Sequence, residues 1–292
     1  MNSRSKRISV VIPAFNHAEF IDRAIESCQN QEEMDVEIIV IDDGSSDQTE
    51  EVVRSYKNVS YLYQDNAGAH NAINTGIKIA SNDLIAVLND DDYYLDFHLK
   101  NSFNAIKQYD LSLVMSNFNI LSENPEHRLR GHIRKVKSIV SNVGLARSMY
   151  QINPVISSSS FVFRKTLVEK VNFRAFKICN DLDFIMQCLN LPGIYSGYLA
   201  EPSWMYRVHE KNTTNAIPST FQQIETACVL ILSFLEAEKR PDWSMLIIDH
   251  GIPSQLFIAI AQEIEEIYSQ RDFVNIDWIH SYIVARSQIS IY

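Results

Sequence analysis

Two hydrophobic periods alternate along the first 117 residues of this 292-residue chain. Continuous apolar runs of strand length occupy residues 8–13, 36–42, 59–63, 84–88 and 111–116. Between these runs, apolar residues recur at helical spacing in residues 20–28, 52–56, 69–80 and 96–109. Strands that alternate with helices at these distances form right-handed crossovers, which build a mostly parallel sheet covered by helices on both faces. The sequence therefore predicts an α/β fold.

The rest of the chain predicts an elaborated domain followed by a helical extension. Residues 119–149 are rich in arginine and lysine, but no glycine- or proline-rich linker separates them from the preceding part. Short helices are predicted at residues 166–171 and 181–189. After Pro218 only helical spacing remains, in residues 221–238, 252–268 and 273–286. We therefore expect one α/β domain over residues 1–217 and a helical extension over residues 218–292.

The composition limits the binding partners and the cellular compartment that we expect for this protein. The chain has 26 lysines and arginines against 36 aspartates and glutamates, which gives a net charge of −10. An acidic surface repels phosphate backbones, so we expect no nucleic-acid partner. The four cysteines are scattered among apolar neighbours, which favours buried free thiols in a reducing compartment. No apolar run reaches the roughly 18 residues of a membrane span, and we expect a cytoplasmic protein.

Acidic residues follow the second and the fourth predicted strands. Residues 42–47 read DDGSSD and residues 89–92 read NDDD. The carboxyl ends of parallel strands meet at one edge of a sheet, so the acidic side chains that follow these two strands are expected to converge there. For a single DDG sequence, a solvated turn or a helix cap is the commoner explanation. Crowded carboxylates repel one another unless a cation lies among them, which predicts Mg²⁺ or Mn²⁺ bridging a phosphorylated substrate.

The glycines exclude the usual phosphate-binding loops. None of the eight glycines gives the spacing G-x-G-x-x-G or G-x-x-x-x-G-K-[ST]. Neither a dinucleotide-binding fold nor a P-loop nucleotide hydrolase is therefore supported. A metal ion, rather than a glycine-rich loop, would have to neutralise the phosphate charge.

Five sequence blocks in the first 214 residues carry a resemblance to a known family. In order they are VVIPAFN (10–16), IVIDDGSSDQT (39–49), DNAGAHNAINTGIKIASNDLIAVLNDDDYY (65–94), NDLDF (180–184) and YRVHEKNTT (206–214). Their order and spacing resemble the pattern of glycosyltransferase family 2 on the GT-A fold. The resemblance implies a nucleotide-sugar-binding half over residues 1–117, an acceptor half over residues 118–217, and a separate C-terminal helical extension.

The resemblance also implies a site for a nucleotide-sugar donor. Asp43 would accept a hydrogen bond from N3 of uracil, and Gly68 would let the backbone pass close to the nucleotide. Asp90 would face the ribose or the diphosphate. The complete set of implied donor-binding residues is Pro13, Ala14, Phe15, Asp43, Gly68 and Asp90.

Two residues are implied as ligands of the divalent cation, Mn²⁺ or Mg²⁺. Asp91 ends the segment that matches the family's D-x-D motif, and His209 follows as a further ligand of the metal or the diphosphate, with an ordinary surface histidine as the alternative. The chain departs from the family at Asn89, where aspartate is common, and at Ile73, where many members have arginine. The remaining histidines show no metal-ligand spacing and are interpreted as solvated; they are residues 17, 70, 98, 127, 132, 250 and 280.

Asp181 matches the aspartate that acts as general base in the family. From the local sequence alone, a cap at the start of the predicted helix is the alternative. Asn180 stands where a glutamate often precedes this aspartate. Trp204 is a candidate for stacking on an acceptor sugar, with packing in the core as the equally supported alternative.

The resemblance implies an inverting, metal-dependent glycosyltransferase, transferring a hexose or N-acetylhexosamine. Its donor would be a nucleotide-sugar of the UDP type, and its acceptor a saccharide or lipid-linked glycan in surface glycan synthesis. Such an acceptor implies peripheral contact with the inner face of the membrane, for which the basic residues 128–147 and the C-terminal helices are candidates. Two alternatives stay open: a catalytically inactive nucleotide-sugar-binding relative, and a sugar-phosphate nucleotidyltransferase, whose glycine-rich first loop this chain lacks.

Overall fold

The computed structural model describes residues 6–122, 156–217 and 219–236. The basic segment 128–147 and the helices predicted at residues 252–268 and 273–286 lie outside the described residues. The membrane contact suggested for them therefore stays a prediction.

Strands and helices alternate in the first half of the chain, as the hydrophobic periods predict. The strands are β1 (Arg7–Ala14), β2 (Asp35–Asp42), β3 (Val59–Tyr63), β4 (Leu84–Val87), β5 (Tyr93–Tyr94) and β6 (Leu113–Leu121). The helices are α1 (Ile21–Gln29), α2 (Thr49–Arg54), α3 (Ala69–Ile79) and α4 (His98–Tyr109). Each predicted apolar run of this half coincides with a strand.

The second half contains two strands and three helices in the described residues. They are β7 (Phe161–Arg164), α5 (Asn180–Asn190), β8 (Ser196–Arg207), α6 (Thr213–Ala216) and α7 (Ser219–Glu236). The helix predicted at residues 166–171 is instead a 3₁₀ turn over Lys165–Glu169. The helices predicted at residues 181–189 and 221–238 correspond to α5 and α7.

The eight described strands form one sheet in the order β3-β2-β1-β4-β7-β6-β8-β5. Strand β1 pairs in parallel with β2 and β4, and β2 pairs in parallel with β3. Strand β7 is inserted between β4 and β6 and is antiparallel to both. Strand β6 consequently runs in the same direction as β4, which agrees with the right-handed crossover expected through α4.

Two apolar clusters fill the two faces of the sheet, because successive residues of a strand point to opposite sides. Val11 belongs to the cluster beneath α3, α5 and α7, whereas its neighbours Val10 and Ile12 belong to the cluster beneath α1 and α4. All four cysteines are buried and free, as predicted. Within the described residues, no helix has the length and hydropathy needed to cross a bilayer.

Candidate active site

The carboxyl ends of β1, β2 and β4 open into a cavity of about 410 Å³. Every donor-binding residue that the sequence implies lines this cavity, together with Asp91. Side chains from turns far apart in sequence meet here because the parallel strands β1, β2 and β4 all end at this edge. The lining residues that the sequence implied are Pro13, Ala14, Phe15, Asp43, Gly68, Asp90 and Asp91.

Asp43 anchors the loop that precedes α3. Its carboxylate accepts hydrogen bonds from Gln64 Nε2 at 2.6 Å, from Ala67 N at 2.9 Å and from Gly68 N at 2.8 Å. The side chain is 3% exposed. A carboxylate has about four acceptor positions, so three bonds to the loop leave one for a ligand group. The role of Asp43 at the base is a prediction, whereas its bonds to the loop are observed.

Gly68 adopts a backbone conformation that other residues rarely take. Its φ of 90° and ψ of 155° lie in a region that is essentially restricted to glycine. A Cβ atom at this position would also approach the imidazole of His70 to 3.0 Å. Glycine is therefore required here both for the turn into α3 and for the space at the cavity wall.

Asp90 is buried and paired with a histidine that the sequence analysis did not select. Its Oδ1 atom lies 2.8 Å from Nδ1 of His17, and its Oδ2 atom accepts a hydrogen bond from Phe15 N at 3.0 Å. Burial raises the pKa of Asp90, although the bond to His17 acts in the opposite direction. Burial lowers the pKa of His17, but the hydrogen bond and charge of Asp90 outweigh it, and the net shift is upward.

A second histidine–aspartate pair lies beside the first. Asp91 Oδ2 is 3.0 Å from His209 Nε2 and accepts a hydrogen bond from Asn212 Nδ2 at 3.1 Å. The imidazole rings of His17 and His209 meet edge to face, with their centroids 5.4 Å apart. The structure thus brings together Asp91 and His209, the two residues implied as metal ligands, over a separation of 118 residues.

The residues present fit a divalent cation that shares its ligands with a substrate. No group of three or more histidine, cysteine, aspartate or glutamate side chains within residues 6–122, 156–217 and 219–236 is placed to hold a metal by itself. One carboxylate and one imidazole are nevertheless an acceptable partial donor set, because Mg²⁺ and Mn²⁺ commonly complete their shell with substrate phosphates and water. His209 Nδ1 is also buried without a hydrogen-bond partner in the described residues.

The expected convergence of these carboxylates on one cation is wrong in part, because Asp42 and Asp92 are among those held in structural hydrogen bonds. Asp92 accepts bonds from the hydroxyls of Ser157 and Ser159 and from Arg207 N, and it is almost fully buried. Asp42 accepts bonds from Tyr61 Oη and Ser45 N. These two carboxylates connect the sheet to its loops, and the strand-end pattern could not distinguish them from Asp91.

Asp181 lies in a second cavity, of about 130 Å³, which Asp91 also lines. Burial raises the pKa of Asp181 to about 7; the N–H of Leu182 acts against this shift, and the negative charges of Glu225 and Asp183 add to it. Asp181 is in the first turn of α5, but its bond to Leu182 N closes no helix cap. A carboxyl group with a pKa near neutrality is suited to accept a proton from a substrate hydroxyl.

Three further side chains at these cavities were missed by the sequence analysis. The prediction that His17 is solvated is wrong, because it pairs with Asp90. Lys177 lines both cavities. Glu225 of α7 is buried, and its negative charge contributes to the raised pKa of Asp181. No local sequence pattern identifies these three residues, because the residues that they meet lie tens of positions away in sequence or on another element.

Three other sequence interpretations are resolved by burial. Trp204 is fully buried and its indole N–H donates to Ser116 O at 3.1 Å, so its place is in the core rather than against an acceptor. His98 is also buried, where burial lowers its pKa to about 3, and the prediction that it is solvated is wrong. Ile73 is 1% exposed, and its apolar side chain provides no charge to the cavity it lines.

Comparison with known proteins agrees with this architecture. The family profile described as Glycosyl transferase family 2 matches residues 9–171. An uncharacterised glycosyltransferase of Rickettsia typhi is 26% identical over 251 residues, which cover 84% of this chain and 76% of that protein. The poly(ribitol-phosphate) beta-N-acetylglucosaminyltransferase TarP of Staphylococcus aureus is 26% identical over 257 residues, which cover 80% of this chain and 76% of that protein.

Solved structures share the fold at lower identity. Residues 1–349 of S. aureus TarS, in complex with UDP-GlcNAc, align with a TM-score of 0.64 and 18% identity over 82% of this chain and 69% of that one. The mannosyltransferase PcManGT of Pyrobaculum calidifontis, in complex with GDP-Man and Mn²⁺, aligns with a TM-score of 0.58 and 15% identity over 98% of this chain and 80% of that one.

The GT-A sheet, the cavity at its strand ends and the similar enzymes together define the class: the protein is a glycosyltransferase. This result confirms the fold and the enzyme class that the sequence blocks imply. The chain belongs to glycosyltransferase family 2, whose profile spans more than half of its length.

Proposed function

We propose that this enzyme transfers a sugar from a UDP-sugar to a hydroxyl group of a saccharide or lipid-linked glycan, with inversion and with the help of a divalent cation. One observation carries the proposal. The cavity that contains the implied donor-binding residues and the cavity that contains Asp181 share Asp91 in their lining. Donor, metal ligand and general base would therefore lie next to one another.

The bound ligands of similar proteins support this choice of donor and cation. TarS is solved in complex with UDP-GlcNAc, and a glucosyl-3-phosphoglycerate synthase of Mycobacterium tuberculosis in complex with Mn²⁺, UDP and glucosyl-3-phosphoglycerate. PcManGT holds GDP-Man and Mn²⁺, so guanine is the alternative base to test. The name of TarP describes transfer of N-acetylglucosamine to poly(ribitol-phosphate), which supports a glycan acceptor.

In the reaction we propose, Asp181 acts as the general base. The acceptor hydroxyl gives its proton to the Asp181 carboxylate while its oxygen forms a bond to C1 of the donor sugar. The bond between C1 and the diphosphate oxygen breaks, and its electron pair leaves with the diphosphate. Attack and departure take place on opposite faces of C1, which inverts its configuration. A divalent cation bound by Asp91 and His209 would supply Lewis-acid stabilisation of the leaving diphosphate.

Calorimetric titration with UDP, in the presence and absence of Mn²⁺, tests the donor site. We expect binding that depends on Mn²⁺ and is much weaker for ADP, with GDP as the competing candidate. Asp91→Ala should abolish the Mn²⁺-dependent part, because Asp91 is the only carboxylate among the described residues that lines both cavities, and it lies next to His209. Asp181→Asn is the matched control, since it should retain UDP binding and lose transfer. A folded wild-type protein that binds no nucleotide would instead indicate an inactive relative.

A further inference from the structure

The two cavities of the active site meet at a small set of residues. Among the residues that the structure describes, five line both cavities: Ala69, Asn89, Asp91, Lys177 and Thr213. Asp91 and Lys177 carry the charged side chains of this set. With the proposed function, on which this inference rests, the junction is the place where the donor diphosphate meets the acceptor. A positively charged side chain at this junction faces the phosphate groups of the reactants.

Lys177 is available to bind such a group. Its side chain is exposed, and within the part of the chain that the structure describes its ammonium forms no ion pair or hydrogen bond, although its charge acts to lower the pKa of Glu225. By contrast, Lys211, which lines only the donor cavity, is paired with Glu19 at 2.5 Å. The second cavity contains Lys177 as its one basic residue among the described residues. An ammonium without an ion pair that lines the same two cavities as Asp91 is therefore available to neutralise a phosphate oxygen.

The backbone that carries Lys177 is held by a residue of α7. The carboxylate of Glu225 accepts hydrogen bonds from three successive N–H groups, those of Lys177 at 2.7 Å, Ile178 at 2.8 Å and Cys179 at 3.2 Å. Glu225 itself is fully buried. A buried carboxylate with three backbone donors fixes the segment in one conformation, because loss of any of these bonds would leave a polar group unsatisfied.

We propose that Lys177 binds a phosphate group where the two cavities meet, and that Glu225 is the positioning residue that holds it there. The phosphate group has two chemical sources. It belongs either to the donor diphosphate or to an acceptor that itself carries a phosphate. Under this proposal, α7 takes part in substrate binding although it lies outside the segment matched by the family profile.

Titration of UDP with Mn²⁺ into Lys177→Met tests the donor source. We expect about a tenfold to hundredfold loss of affinity, the value of a hydrogen bond to a charged group, and no loss for uridine, which has no phosphate. For the acceptor source, inorganic phosphate is titrated into protein saturated with UDP and Mn²⁺, and Lys177→Met should remove its binding. The matched control is Lys170→Met, an exposed lysine that lines neither cavity.

Glu225→Gln tests the positioning role with a side chain of the same size that has only one acceptor oxygen. It should weaken the same binding step in the wild-type background but cause no further loss in Lys177→Met, because coupled residues are not additive. Ser233→Ala is its control on the same helix, where Asn190 Nδ2 donates to Ser233 Oγ at the opposite end of α5. Thermal unfolding of each variant shows that it is folded.

The outcomes separate the two proposals. Wild-type protein that binds no UDP under any condition overturns the proposed function and this inference together. Wild-type binding of UDP, with Lys177→Met unchanged in both titrations, overturns the inference and leaves the proposed function in place. A loss in Glu225→Gln that persists in the Lys177→Met background shows that Glu225 does not act through Lys177.

Discussion

Asp181 is buried at the start of α5, and burial raises the pKa of its carboxyl group to about 7 from an ordinary value of 3.8. The folded protein therefore holds this proton more tightly than the unfolded chain does. The stability linked to it is fully present below pH 4 and is lost as the pH rises through 7. At pH 8 the folded state contains a buried, charged carboxylate, which costs free energy.

Replacement of this carboxyl group by an amide should separate stability from activity. We expect Asp181→Asn to abolish transfer and to increase the free energy of unfolding at pH 8 by roughly 1–4 kcal/mol, since one pKa unit corresponds to about 1.4 kcal/mol. At pH 4 the two proteins should be nearly equal in stability. Urea unfolding at both pH values measures the difference. Asp83→Asn is the control, because Asp83 is exposed and its side chain forms no ion pair or hydrogen bond within the described residues, and an equal gain there would contradict the argument.

At the scale of single residues, sequence motifs predict which residues line the donor cavity. They do not predict residues that reach the site through contacts between distant parts of the chain. The implied donor-binding residues all line one cavity because each lies at or beyond the carboxyl end of a strand on the same edge of the sheet. His17 meets Asp90 across 73 residues, and Glu225 meets Lys177 across 48. Such pairs depend on tertiary packing, which no local spacing records.

At the scale of elements, the loop before α3 depends on glycine at one position. Gly68→Ala forces a side chain into a backbone region that costs about 1–3 kcal/mol and towards His70. We expect lower stability together with weaker binding of UDP, because Gly68 N is also a donor to Asp43. Isothermal titration and thermal unfolding measure the two effects.

Gly193→Ala is the matched control for this prediction. Gly193 also has a positive φ, of 77°, but a Cβ atom there would meet no atom within 4 Å, and the residue lines neither cavity. It should lose a comparable amount of stability, about 1–2 kcal/mol, and bind UDP normally. Equal loss of UDP binding in both variants would mean that the effect of Gly68→Ala is general destabilisation.

The strands that the sequence did not predict are β5, β7 and β8, and each of them has an antiparallel neighbour in the sheet. The four apolar runs that lead into the sheet became parallel strands, since helices of ordinary length connect them. Strand β7 enters antiparallel between β4 and β6, a choice that hydrophobic spacing does not encode. Strand β8 contains the charged Glu201 and a proline, Pro202, and its burial pattern lacks the alternation that indicates a strand.

At the scale of the whole molecule, α7 completes the core rather than lying apart from it. Phe221, Val229 and Leu230 are nearly or fully buried, and the last two belong to the apolar cluster that also contains Phe184 of α5. Asn190 Nδ2 donates to Ser233 O at 2.7 Å, which connects the other end of the two helices. A cut at the predicted division between residues 217 and 218 would therefore remove the buried side chains of α7 from this core.

Truncation at this division should unfold the catalytic part. Burial of each large apolar side chain contributes about 1.5–3 kcal/mol, so three of them approach the total stability of a typical domain, about 5–15 kcal/mol. A chain that ends at Ile217 should lose cooperative thermal unfolding and UDP binding, whereas a chain that ends at Glu236 should retain both. Cooperative unfolding of the shorter chain at an unchanged temperature would show that α7 is dispensable for the core. If the shorter chain stays folded but binds UDP weakly, α7 acts through Glu225 and the segment that carries Lys177.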